Sequence, residues 1–389
     1  MPTPSLILVP ARFKSGKLYT PVATTSGGTV LGASGDFNVT RATTATRVNA
    51  SGLIESVASG IPRLDYYTSG GTAGCPALLV EPAATNLVLQ SRSLNNAVWS
   101  GTTVTTAKNA VGADGTASGA TTITATAASG TVLQALSHAS QSRVFSAYIR
   151  RVSGTGAIQL TTNGGTNWTT VTISSIYTQV ACAAQTVASG TVGIRLAASG
   201  DVIEVDFTQG EVGPAATSPM ATTTGQVTRN ADVINLSGAV SGCIGQTEGT
   251  MYLDFIFRRP TISTQGHCSI SSANGQNRLV FWNNNSTNSM AVNLQANSAN
   301  IFNTSVGTLT EGTRYKLACA YKSGDSAIFL NGVQVGTTLT SAFTFAASLV
   351  AVFIGAYETG TSTITNTGIN AFTLYTTRLT NTELAALTA

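Results

Sequence analysis

Charge is scarce in this chain of 389 residues: Asp, Glu, Lys and Arg together make up 9%, against about 25% in an ordinary soluble domain. Helix surfaces are built largely from Glu and Lys, so helices are excluded as the main element. With 39 glycines and abundant Ser and Thr, the chain reads as strands, turns and uncharged polar surface. The net charge of +4 comes without any run of Lys or Arg able to follow a phosphate backbone, so no nucleic-acid partner is expected. Long apolar runs are missing too. None approaches the ~20 residues needed to cross a bilayer, and Leu6 to Val9, set between Pro4 and Pro10 with no positive charge before it, falls short of a signal peptide. No membrane insertion and no export by the usual route are expected. The five cysteines (Cys75, Cys182, Cys243, Cys268, Cys319) are odd in number, widely spread and never in a CxxC pair. They read as reduced thiols embedded in strands of a protein assembled in the cytoplasm. There is no heptad pattern for a coiled-coil shaft and no repeat of solenoid length.

What is present is enough apolar side chain, 42% of residues, to fill real cores, and a texture that changes along the chain. Residues 1–84 hold seven of the ten prolines, several Gly pairs and only short apolar runs, which reads as an extended arm. Residues 85–228 carry short strand-like runs at regular spacing, among them Val144 to Arg150, Ala157 to Thr161, Thr178 to Ala183 and Val202 to Phe207. Asn163-Gly164 and Ser199-Gly200-Asp201 give hairpin signals between them, and Pro214 to Gln226 reads as a linker. In residues 229–389 Met251, Leu253, Phe255 and Phe257 alternate with polar neighbours, as do Tyr315, Leu317, Cys319 and Tyr321. Period two means strands with one inward face. Ala327 to Val335 around Asn331-Gly332 predicts a type I′ hairpin, and Thr380 with Glu383 forms a capping-box spacing ahead of a short C-terminal helix. The expected fold class is all-β: an extended N-terminal arm followed by two antiparallel β-sandwich, or jelly-roll, domains.

Catalytic chemistry finds little to stand on. Cleaving a glycan needs two carboxyl groups facing one cleft; Glu204 and Asp206, two apart on a predicted strand, share a face, but they read as a solvent-facing face flanked by core Ile203, Val205 and Phe207. His267 beside Cys268 offers metal-ligand types without metal-ligand spacing, His138 has no nucleophile motif near it, and the Gly pairs match no phosphate cradle. No enzyme activity, cofactor or metal is expected. Sugar recognition, by contrast, uses aromatic faces flanked by amides and needs no charge. Trp168 with Asn163 and Asn167 is one such constellation. Trp282 with Asn283, Asn284 and Asn285 is another, and Tyr357, beside Glu358, is a rim candidate. Trp99 reads as core.

Certain runs resemble a known family. Leu8-Val9-Pro10, Phe13 to Tyr19, Phe37 to Asn49, Gly52 to Glu55, Pro62 to Tyr66 and Cys75 to Pro82 are similar to the leading segment of tailed-bacteriophage fibre and appendage proteins. Asp206 to Gly213, with Ala216 to Pro219 and Val227 to Asp232, resembles the closing strand and exit of their carbohydrate-binding-module-like sandwich, departing from it at Gly210 and Pro219. Arg314 to Leu317, Ala327 to Val333, Ile354-Gly355, Phe372 to Tyr375 and Arg378 to Leu384 resemble a laminin-G-like, concanavalin-like jelly roll. The resemblance implies a virion fibre or appendage protein, assembled in the host bacterial cytoplasm. It further implies a homotrimer attached to other phage structural proteins of tail, collar or capsid and acting as a non-enzymatic adhesin for host-surface glycans. Arg12, Phe13, Lys14, Lys17 and Tyr19 of the arm are the expected contacts with the particle. Two alternatives remain at this point: a head fibre or capsid-decorating protein, and a glycan-degrading tailspike.

Overall fold

A computed structural model describes residues 1–66, 74–259, 264–283, 288–357 and 364–389. As the composition requires, the described residues are all-β but for two short 3-10 turns and the helix Asn381–Thr388. That helix opens with the expected capping box: Glu383 N–H donates to the Thr380 hydroxyl, and the Glu383 carboxylate accepts from Thr380 N–H at 2.9 Å. Asn331 (φ 48°) and Gly332 (φ 84°) close the hairpin between Ala327–Leu330 and Val333–Gln334.

Two nine-stranded sheets face each other in the jelly roll. The inward residues of Glu248–Arg259 (Met251, Leu253, Phe255, Phe257) and of Arg314–Lys322 (Leu317, Cys319, Tyr321) meet Ile270, Leu279, Phe281, Val292 and Ile354 of the opposite sheet in one buried core. The C-terminal helix covers the outer side of the first sheet, with Leu384 and Leu379 on Tyr252, Ala318 and Phe329.

The N-terminal segment is extended, yet it is not a free arm. Leu6–Leu8 pairs with Asn366–Tyr375 in the register Leu6↔Leu374, and Val22–Ala23 continues that sheet beyond it. Phe13–Lys14, Lys17–Leu18 and Phe37–Thr40 extend the other sheet through Val233–Ser237. The physical reason is that Leu6, Leu8, Leu18 and Phe37 sit in apolar runs too short to form a core of their own, and they bury fully in the core of the distant C-terminal region.

The second unit is a sandwich whose core runs from Leu87 to Val205 and includes Trp99, as expected. Its five-stranded sheet contains Gly130–Ala135, Thr191–Leu196 and Ile158–Thr161; its six-stranded sheet contains Ala120–Ala125, Val202–Val212 and Gln141–Ser153. Ser199-Gly200-Asp201 does not close a hairpin, because Thr191–Leu196 and Val202–Val212 belong to different sheets; the turn carries the chain across the sandwich. The presumed linker is also packed: Ser218 and Thr222 are buried, with Thr222 N–H donating to Ser91 Oγ at 2.8 Å and Met220 N–H to Gln209 Oε1 at 2.7 Å.

A buried ionic cluster ties the units together. Arg41 donates to Asp232 at 2.8 Å, Arg63 bridges Asp232 and Glu81 (2.7 Å to the latter), and Arg229 reaches Glu81 at 2.5 Å. Ser218 adds its hydroxyl and N–H to Glu81 at 2.6 and 2.8 Å. Burial alone would raise the Glu81 carboxyl, but Arg229, Arg63 and Ser218 outweigh it and hold the group below the usual carboxylate range.

Candidate functional site

Trp168 follows the loop that joins Ile158–Thr161 to Thr169–Val171. The loop is built by Asn163, whose side-chain oxygen accepts from Asn167 N–H at 2.9 Å and from the Thr161 hydroxyl at 3.0 Å. Gly165 (φ 90°) lies so close to the indole that a Cβ there would come within 2.9 Å of a ring carbon, so only glycine fits. On the outward face of the five-stranded sheet, Arg195 spreads its guanidinium 4.5 Å from the Trp168 ring and donates from Nε to Gln159 Oε1 at 2.7 Å. Gln159 in turn donates to Thr170 at 3.1 Å. The strand register sets these in one row, Thr131 opposite Arg195, Arg195 opposite Gln159, Gln159 opposite Thr170. Trp168 therefore caps a flat polar row, with Asn167 exposed beside it. Asn163 belongs to the scaffold of this surface.

The second constellation divides. Trp282 and Asn283 are consecutive strand residues and so face opposite sides. Asn283 is fully buried, paired through Oδ1 with His267 Nε2 at 2.6 Å, and is no surface ligand contact. Asn284 and Asn285, like Glu358, lie outside the described residues. Trp282 stands half-exposed on the outer face, its indole N–H donating to Asn303 at 3.2 Å. Tyr357, 75 positions away, meets it edge-to-face at 6.1 Å, and Arg278 stacks on Tyr357 at 4.9 Å. Asn303, exposed beside the indole, extends this face with its amide, whereas Asn293, opposite it in register, is buried and donates to Asn300 Oδ1 and Phe302 O at 2.6 and 3.0 Å. Arg278 could have been found from the sequence, because residues 278, 280 and 282 share one face of a strand. Arg195, Gln159 and Asn303 are brought in by pairing alone and left no local signal.

Glu204 and Asp206 are each committed to an arginine. Arg150 Nε donates to Glu204 at 2.5 Å; Arg92 holds both oxygens of Asp206 through Nε and Nη2 at 2.8 and 2.9 Å and grips Asp114 with Nη1 and the same Nη2. Burial nevertheless raises the Asp206 carboxyl somewhat, against the opposing pull of Arg92. Phe207, expected in the sandwich core, sits at a bulge with φ 45° and turns instead onto Tyr148 in a small outer cluster with Ile54 and Ala113. No group of His, Cys, Asp and Glu among the described residues could hold a metal ion.

His267 lies fully buried between Phe255 and Phe257, where burial pushes its pKa down to about 4. An unfolded His titrates near 6.5. Below that pH the unfolded chain takes up a proton that the folded chain refuses, so the contribution of neutral His267 is complete above pH 6.5 and is lost as pH falls toward 4. Between pH 7 and 5 a loss of about 2 kcal/mol is expected. Urea midpoints across that range, compared with His267→Gln, check it: the variant should lose most of this slope.

From the particle-contact group, Phe13 packs inward against the jelly-roll core and Lys17 donates to Asn38 at 2.8 Å. Arg12, Lys14 and Tyr19 remain exposed, with the Lys14 ammonium 5.8 Å from the Tyr19 ring.

No family model matches the chain, and no curated protein matches it. Among solved structures it is similar to the carbohydrate-binding module CBM40 of the Ruminococcus gnavus IT-sialidase bound to alpha2,3 sialyllactose, at 15% identity and TM-score 0.33 over 37% of this chain and 84% of that one. It is similar, at 13% identity and TM-score 0.33, to domain 4 of AbnA, a GH43 extracellular arabinanase from Geobacillus stearothermophilus, in complex with arabinotriose, over 45% of this chain and 83% of that one. The NanB sialidase of Streptococcus pneumoniae shows 14% identity and TM-score 0.33 over 40% of this chain and 26% of that one. None of the three is a virion protein, and likenesses this faint carry no argument about what this chain binds.

Proposed function

We propose that this protein is a non-catalytic glycan-binding protein of the bacteriophage virion, a fibre or appendage that grips host-surface sugars. The observation that supports it best is the Trp282 surface: an indole and a tyrosine held at right angles, a guanidinium on the tyrosine, and the exposed amide of Asn303 alongside. Aromatic faces take the C–H face of a pyranose and amides take its hydroxyls. Trp168 with Arg195 repeats the same chemistry on the other unit. Each contact is weak alone, and a homotrimer would multiply them by avidity. Arg12 and Lys14 form no ion pair among the described residues; Arg12 lines a groove of about 530 Å³ with Val9, Tyr19 and Val30, and the Lys14 ammonium lies 5.8 Å from the Tyr19 ring. That is the face offered to other virion proteins.

A glycan array probed with the full-length protein tests the adhesin reading. Trp168→Ala and Trp282→Ala should each weaken binding to the recognised glycan by about tenfold, the worth of one aromatic contact. Unchanged binding in both variants contradicts it. So does release of reducing sugar from host polysaccharide that Glu204→Gln abolishes.

A further inference from the structure

Three of the chain's exposed large apolar side chains, Leu53, Val111 and Ile176 (38%, 50% and 59% exposed), converge on one cleft of about 430 Å³. They come from three separate turns, and none is exposed through looseness. Leu53 ends a turn that Asn49 fastens, its side-chain oxygen accepting from Ser51 and Leu53 N–H at 2.9 and 3.1 Å. The turn after Val111 is pinned by Asp206, which accepts from Ala113 N–H at 2.9 Å, and by the Arg92–Asp114 pair. Ile176 N–H is held by Ser174 Oγ at 3.2 Å. Tyr66, Tyr148 and Tyr177 also line the cleft. Tyr177 is fixed by donating to Val111 O at 3.0 Å and by the Arg150 guanidinium 4.7 Å from its ring.

Holding apolar groups in water on rigid supports costs stability that folding alone does not repay, and such clusters mark binding sites. We propose that this cleft, between the Ala45–Val48/Ile54–Val57 hairpin and the six-stranded sheet, is a separate binding site for a neutral glycan segment. The volume lies in the range of ligand pockets, about 300–1,000 Å³. Tyrosine rings and an aliphatic rim match the apolar faces of pyranose rings. Ser51, Ser175 and Tyr66 stand at the same cleft for its hydroxyls. Arg150, the only cation among the described residues lining it, is already neutralised by Glu204 at 2.5 Å, which leaves no free guanidinium there to favour a carboxylated sugar over a neutral one.

The proposal rests on the glycan-binding reading but places the contact away from both tryptophan surfaces, so the two can fail independently. The probe is an array of neutral hexose and N-acetylhexosamine oligosaccharides printed beside sialylated and uronic-acid ones. The full-length Trp168→Ala/Trp282→Ala double variant should still bind neutral glycans. Adding Ile176→Asp or Tyr66→Ala to it should weaken that binding at least tenfold; Ile176 is exposed, so its variant keeps the fold, which near-UV circular dichroism verifies. If the double variant binds nothing while the wild type does, or if Ile176→Asp binds as its parent does, the cleft site is refuted and the tryptophan surfaces stand. If the wild type binds no glycan, both readings fall. Concentration-dependent dimers that Ile176→Asp abolishes would assign the cleft to a second copy of the chain and overturn the proposal.

Discussion

Replacing Glu81 with glutamine is expected to destabilise the protein by about 3–5 kcal/mol, the usual cost of removing one partner of a buried ion pair. Glu81 is the acceptor for Arg63, Arg229 and Ser218, all at most 9% exposed. Without its charge, Arg41 and Arg63 keep Asp232 but buried Arg229 keeps only the Pro82 carbonyl, since Glu211 in the same region spends its oxygens on Thr217 and Gln209. Arg63→Met should cost less, because it leaves Arg41 with Asp232 and Arg229 with Glu81 as two balanced pairs. Arg47→Met, which breaks the half-exposed Arg47–Glu55 pair, should cost under about 1 kcal/mol. Denaturant unfolding can be followed at Trp99 in the sandwich and Trp282 in the jelly roll. In the wild type both should report one transition; in Glu81→Gln the transitions should separate, because the cluster joins segments of both units. Glu81→Gln unfolding at the wild-type midpoint would show that the cluster does not carry the junction. The same chemistry has an acid limit. The Glu81 pKa is depressed on folding, so its contribution is fully present above the ordinary carboxylate range and is lost progressively as pH falls below that range toward the depressed folded value.

The cluster also marks where sequence reading reaches its limit. Its members lie at positions 41, 63, 81, 229 and 232, and nothing in the surroundings of any one announces the others. Local signals behaved differently. Asn331-Gly332, the Thr380 capping box and the alternation from Met251 to Phe257 each carry their physics within ten residues, and each is found as expected. The run Trp282 to Asn285 was misleading for a simple reason: adjacency in sequence resembles a polar loop, but on a strand alternate residues part company, sending Trp282 outward and Asn283 to His267. Phe207 escaped the alternation of its strand because a single bulge with positive φ reverses the face, and bulges leave no compositional trace. The aromatic half of each sugar-binding candidate was thus legible. Its guanidinium and amide half was not, because Arg195 reaches Trp168 only through sheet pairing.

Removal of residues 1–20 is expected to unfold the jelly roll outright. Leu6, Leu8 and Leu18 are fully buried, and each contributes about 1.5–3 kcal/mol by burial. Their sum, roughly 5–9 kcal/mol, is comparable to the whole stability of an ordinary domain, about 5–15 kcal/mol. The deletion also strips strands from both sheets at once, uncovering the edge of Asn366–Tyr375 on one side and of Phe37–Thr40 on the other. The truncated protein should be insoluble or rapidly digested by protease, with near-UV circular dichroism lost. Recovery of a folded, protease-resistant protein with a wild-type melting transition would show that these strands are dispensable. The consequence reaches function: loss of virion incorporation after such a deletion would say nothing about attachment, since the protein would be missing for want of a fold. Arg12→Glu with Lys14→Glu is the informative change, because both side chains are exposed and outside every ion pair among the described residues. That double variant should fold and melt as the wild type does and, if the protein is the virion component proposed above, fail to enter particles. Normal incorporation would remove the basic face from the account of how the protein is held.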